Sequence, residues 1–398
     1  MIPFAACALA CVVIGAACGI YGQDDLLPAP TPLLDAGHDA APIVTPPVDA
    51  GRVDADTCAH TRWPARPADD DPSTTPNVTA MSAIATLSLG LAPEGGPAPL
   101  IGFDLDRVCT CPGPDSCVNS FNTNPHCDEK GGRDNAAQAL LQIVETLPGL
   151  NEAALNQQLS SGKYGLVFAV SQWNGQPNDT QVNISLFVSN GLTPDDAGTV
   201  GPVKGDGSDV WLLSSGSLLG GDSLAGVDCG NGNPQCSPVY YDDNAYVTGG
   251  TIVGSVDFQI ALGGSGSGTV NVNLTGSVVL ATLVSSAGGW SLANGTIAGR
   301  WATSKLLSSL AALDDPLKSG SYLCGDDGTY GIVKNDICNA MDIAADPNLD
   351  QTGAPCDAIS VSLGFTANPA QMGVVTTKGQ PFTGCTSDAG VPFHDQCQ

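Results

Sequence analysis

Strict alternation of apolar and polar residues beyond residue 80 limits this chain more than any other feature. Val256, Phe258, Ile260 and Leu262 alternate with Ser255, Asp257, Gln259 and Ala261. Val270, Val272 and Leu274 alternate with Asn271, Asn273 and Thr275, and the Gly/Ser stretch 263–268 between the two runs reads as a hairpin loop. Val182, Ile184, Leu186 and Val188 repeat the pattern, as do Tyr164, Leu166, Phe168 and Val170, and again Ile359, Val361, Leu363 and Phe365. A period of two turns one face to a core and the other to water, as antiparallel sheets require. Trp290 to Ala298 reads as one more hairpin, because Asn294-Gly295 suits a two-residue turn with positive φ.

Helical patterns are fewer. Asp134 is placed to cap a helix carrying Leu140, Ile143, Val144 and Leu147, ended by Pro148-Gly149. Asn151 starts a second, with Leu155 and Leu159. Leu306, Leu307, Leu310 and Leu313 mark a third, and Ile337 and Met341 a short fourth. The expected fold is therefore mainly β: an antiparallel sandwich or jelly-roll-like head, residues 79–398, with a few helices and tied loops. A split into two lobes near residue 250 is compatible with its length.

The cysteines set the compartment. Twelve lie beyond the first 18 residues: Cys58, Cys109, Cys111, Cys117, Cys127, Cys229, Cys236, Cys324, Cys338, Cys356, Cys385 and Cys397. Their spacing lacks the paired CxxC of zinc ribbons, and an even count in an exported chain reads as disulfides. Only Cys229–Cys236 is suggested as a pair, by proximity.

Export is read from the start of the chain. An apolar run from Ile2 to Ala17 ends in Gly15-Ala16-Ala17-Cys18. It is shorter than a transmembrane helix and matches a signal-peptide core. Small residues before a cysteine resemble a bacterial lipobox, so Cys18 is expected to carry lipid and to hold the protein at the outer membrane or cell surface; simple secretion is the alternative. Residues 19–78 hold ten prolines and ten aspartates with three basic residues, a spacer composition that cannot bury a core. The blocks GFDLDRVCTCPGPDSC, GGRDNAAQALL, NGTIAGRW and TGAPCDAISVSLGF, with this start and spacer, resemble uncharacterised exported lipoproteins of myxobacteria. That resemblance implies a location and no reaction.

The charge narrows the partners. The net charge is −27, from 40 acidic against 13 basic residues, and all but four of the acids are aspartate. A basic groove for nucleic acid is excluded. Aspartate suits turns and oxygen-ligand sites. The best calcium candidate is Asp346, Asn348 and Asp350 with Asp357 at position twelve, though Pro347 and Gln351 depart from the EF-hand loop. Asp104-x-Asp106 is a weaker second. Trp173, Asn174, Asn178 and Asp179 sit between two expected strands and could form a sugar-binding edge. Hydrolase signatures are thin: the four histidines form no HExxH, and no G-x-S-x-G is present. The sequence thus points to a lipid-anchored binding or structural module with a glycan or envelope protein as partner. The competing expectation is a polysaccharide hydrolase using aspartates.

Overall fold

The computed structural model describes residues 59–73, 77–91, 98–111, 114–122, 126–144, 151–262, 270–310, 313–315, 317–318, 322–324, 328–377 and 395–397. Cys18, Cys58, Cys385 and the loop 263–268 lie outside the described residues. The strands are β1 (Val78–Ser88), β2 (Gly165–Trp173), β3 (Asp179–Leu192), β4 (Val210–Ser214), β5 (Tyr240–Thr248), β6 (Thr251–Gly254), β7 (Phe258–Leu262), β8 (Val270–Ser286), β9 (Gly289–Ala302), β10 (Ala358–Pro369) and β11 (Gln371–Thr376). The helices are α1 (Ala137–Val144), α2 (Glu152–Ser160), α3 (Thr303–Leu310) and α4 (Gly328–Asn339).

The fold is mainly β, and it is a barrel rather than a sandwich or jelly roll. Eight strands run in the order β3-β2-β1-β10-β9-β8-β6-β5, and β5 returns to β3 to close the ring. The closing ladder pairs Asp179 with Val247, Val182 with Ala245 and Leu186 with Tyr240. Strand β3 has 14 residues and outruns this partner. Its far end pairs Ser189 with Leu213 and Leu192 with Trp211 on β4, and β11 adds parallel to β4. Alternation marks one buried face per strand; a second sheet or the same sheet curled round would bury it equally well. Residue 250 lies in the tight turn between β5 and β6, so one barrel spans it.

The inward residues fill the barrel. Leu166, Phe168, Val170, Ile184, Leu186, Val279, Ile297, Val361, Leu363 and Phe365 belong to one buried cluster. Phe168 stacks on Phe365 with centroids 5.0 Å apart. An eight-stranded barrel is just wide enough to be packed by its own side chains. Helices α2 and α3 join the same cluster through Leu155, Leu159, Leu306, Leu307 and Leu310.

The outer face is also largely covered. Val167, Ala169 and Phe187 pack against Trp211, Leu213, Val375 and the Cys229–Cys236 loop. Phe103, Val253, Val278 and Ala298 form a second outer cluster with Trp63, whose ring meets Phe103 edge-on at 5.7 Å. Residues 59–73, spacer by composition, run along the barrel. Arg66 donates to the carbonyls of Thr180 and Asn244 and lies 4.8 Å over the Tyr246 ring. Tyr246 donates its hydroxyl to Pro64 O at 2.6 Å.

Two local expectations are corrected. Asn294-Gly295 is not a turn: β9 runs through it, and Asn294 at φ +51° makes a bulge that shifts register against both β8 and β10. The hairpin turn lies earlier, where Ser286 pairs with Gly289. Gly295 is needed because a Cβ there would lie 2.5 Å from the Phe365 ring. Asp134 does not cap α1, because its carboxylate bonds elsewhere. Asn151 does cap α2, accepting from Ala154 N at 2.7 Å.

Four disulfides join Cys111 to Cys127, Cys117 to Cys356, Cys229 to Cys236 and Cys338 to Cys397. Cys109 and Cys324 are also disulfide-bonded. The proximity pairing of Cys229 with Cys236 is thus observed. Such a framework belongs to an oxidising, extracytoplasmic compartment.

Candidate functional site

The tip between β2 and β3 is closed on itself. Trp173 is 2% exposed, meets Trp290 edge-on at 4.6 Å and donates its indole N–H to Gln176 O at 2.9 Å. Its ring therefore offers no face to a sugar. Asn174 donates to the carbonyls of Asp71 and Asn178. Asp179 accepts from Asn174 N at 2.7 Å, and Asn178 N donates to Asp71. These polar groups bind the incoming segment at residues 70–73 to the tip.

The loop 346–357 also uses its carboxylates internally. Asp346 accepts from the backbone and side-chain nitrogens of Asn348, both at 2.9 Å. Asp357 accepts from Ala345 N at 2.7 Å. Asp350 forms a two-point ion pair with Arg300 at 2.7 and 2.5 Å. Arg300 projects from the outer face of β9, is 1% exposed and also donates to the carbonyls of Ala344 and Leu105. The four residues do not converge as the shell of one ion.

The acids that do converge lie beside this pair, on the outer face of β10. Two turns, at 102–108 and 131–136, press onto the strand there. Gly102 allows the contact: its φ is +113°, and a Cβ would stand 2.3 Å from Ser362 Oγ. Asp104, Asp106 and Asp134 are 0%, 3% and 2% exposed. Each offers a carboxylate oxygen within 4.8 Å of the other two. Asp134 accepts from Leu105 N at 2.6 Å and Asp106 N at 3.3 Å, and Asp106 accepts from Val108 N at 2.8 Å. Asp104 Oδ2 lies 2.5 Å from His60 Nδ1 and 4.0 Å from Arg62. Its Oδ1 is sealed from solvent and has no hydrogen-bond partner among the described residues. Cys109 Sγ also approaches His60, but its disulfide removes it as a thiolate ligand.

Two further acids surround the trio. Asp342 accepts from the backbone and hydroxyl of Ser360, and Asp128 accepts from Thr110 N at 2.7 Å. Burial raises Asp106, Asp128, Asp134 and Asp342, and repulsion from neighbouring carboxylates adds to it. Asp106 is pushed up to about 6 by burial, with Asp104 and Asp350 repelling it. Asp128 and Asp342 are each pushed up to about 7, again chiefly by burial. Asp134 is held well above the carboxylate range by burial and by Asp106, Asp342 and Asp128.

Sequence reading found Asp104-x-Asp106 as a secondary candidate and missed the rest. Asp128, Asp134 and Asp342 come from separate turns, with no local spacing to link them. An oxygen-only set suits a hard cation. Buried this deeply, these acids do not flank a substrate cleft as a glycosidase pair must. The molecule is thus a disulfide-tied eight-stranded barrel with a filled interior and a buried acidic centre on its outer face. No family model, no curated protein and no solved structure matches the chain.

Proposed function

We propose that this protein is a lipid-anchored extracytoplasmic module. Its rigid barrel head is held off a membrane on the 19–58 part of the spacer and binds an envelope protein or glycan through its outer surface. The observation that carries the reading is the barrel interior. Phe168, Phe365 and their neighbours occupy the space a small ligand would need, so recognition falls to the outside. The disulfide framework supports work outside the cytoplasm. The lipobox-like Cys18 and the resemblance to exported lipoproteins support the anchor.

The anchor is tested by expressing the full chain with an alkyne fatty acid and fractionating the cells. The wild type should label and sediment with membranes, and Cys18→Ser should do neither. Equal labelling and sedimentation of both would refute the anchor. For the head, co-sedimentation with isolated envelope polysaccharide is measured beside release of reducing ends. Steady product release, lost on substitution of one aspartate, would replace the binding reading with the hydrolase.

A further inference from the structure

We infer that Asp104, Asp106 and Asp134 hold a divalent cation of the calcium class on the outer face of the barrel, a site independent of the lipid anchor and of the partner. Geometry comes first. Three oxygens all within 4.8 Å of one another leave a point no farther than about 2.8 Å from each, and a slight contraction reaches the 2.3–2.6 Å of calcium–oxygen bonds. The second observation is Asp104 Oδ1, which is buried without a donor among the described residues. A buried carboxylate oxygen left bare is costly, and a cation would satisfy it. The third is charge. Among the described residues, only His60 and the exposed Arg62 bring a basic side chain within 4.0 Å of a carboxylate of the trio, both at Asp104. The neighbouring Arg300 is already spent on Asp350.

The donor set selects the metal. Carboxylate oxygens favour calcium or magnesium over zinc. His60 Nδ1 already faces Asp104 Oδ2, and Cys109 is oxidised. Magnesium demands near-ideal octahedral geometry and keeps several waters, which a sealed site supplies poorly. Calcium accepts irregular shells of six to eight oxygens. Asp128 and Asp342 add negative potential without needing to ligate.

The test uses the full oxidised chain, stripped with EDTA and checked by elemental analysis. Calcium and magnesium are titrated separately by calorimetry, and the thermal midpoint is read with and without each. One equivalent of calcium should bind, more tightly than magnesium, and raise the midpoint. Asp106→Asn and Asp134→Asn should each weaken calcium binding at least tenfold while keeping the near-ultraviolet spectrum of the wild type. Asp346→Asn, in the loop that resembles a calcium loop by sequence, should bind as the wild type does. No heat and no midpoint shift from the stripped wild type would overturn the site. So would calcium binding lost in Asp346→Asn but intact in Asp106→Asn, or tighter binding of magnesium.

Discussion

Replacing Arg300 by methionine should cost more than any other single charge removal in the head. The guanidinium is 1% exposed and makes four contacts: two to Asp350, one to Ala344 O and one to Leu105 O. Methionine fills much of the stem's volume but donates nothing. Asp350, 11% exposed at its side chain, would keep its charge without a counter-ion. Breaking a buried pair by removing one partner costs about 3–5 kcal/mol. At about 2–4 °C per kcal/mol for a domain somewhat smaller than this one, the midpoint should fall by roughly 6–20 °C. The double variant Arg300→Met, Asp350→Leu removes both charges and should recover at least about 2 kcal/mol, because the single variant's cost is mostly the stranded carboxylate. Urea unfolding with disulfides intact and EDTA present measures both without cation binding intruding. A loss below about 1 kcal/mol for the single variant, or a double variant no better than the single, would refute the reasoning.

Three other outcomes are expected. In excess EDTA, stability should fall as pH rises from about 4 to about 7.5. Asp106, Asp128, Asp134 and Asp342 have raised values, so the folded state keeps protons that the unfolded chain releases; their contribution is full below 3.8 and lost as pH rises through about 6–7. Asp342 alone, moved from 3.8 to about 7, accounts for about 4 kcal/mol at most, and a flat or rising urea-unfolding profile between pH 5 and 8 would sink the idea. Removing Cys117–Cys356, which closes a separation of 239 residues, should cost about 5 kcal/mol, against about 2–3 kcal/mol for Cys229–Cys236 with its separation of 7; denaturant unfolding of the two paired-alanine variants should rank them so. Trp173→Ala should cost about 3–5 kcal/mol by denaturant unfolding and leave polysaccharide co-sedimentation unchanged, since the ring packs on Trp290 rather than facing solvent.

What was legible in the sequence was local. Period-two alternation placed residues in β2, β3, β7, β8 and β10, because each strand carries its own record of which face is buried. Asn151 was legible as a cap, and Cys229 and Cys236 as a pair, because both lie within a few residues of their partners. Asn294-Gly295 misled because positive φ serves a bulge as well as a turn, and only the flanking ladders of β8 and β10 distinguish them. Trp173 misled because an aromatic residue between strands carries no sign of whether it folds inward.

The rest depended on distance in the chain. Closure into a barrel is decided by β3 meeting β5, a pairing of Asp179 with Val247 across residues whose patterns are silent about each other. The acidic centre joins Asp104 and Asp106 to Asp134, with Asp342 alongside, through turns that meet on the outer face of β10. Ser360 and Ser362 read as solvent-facing by alternation, yet both are 0% exposed beneath those turns. The sequence alone thus determined a β-rich, disulfide-tied, strongly acidic chain, because burial pattern, cysteine count and charge are properties of single residues and near neighbours. Tertiary structure alone decided the barrel and the grouping of carboxylates. A hydrogen-bonded ladder and a cation-sized cluster each need partners that only the closed sheet brings within a few ångströms.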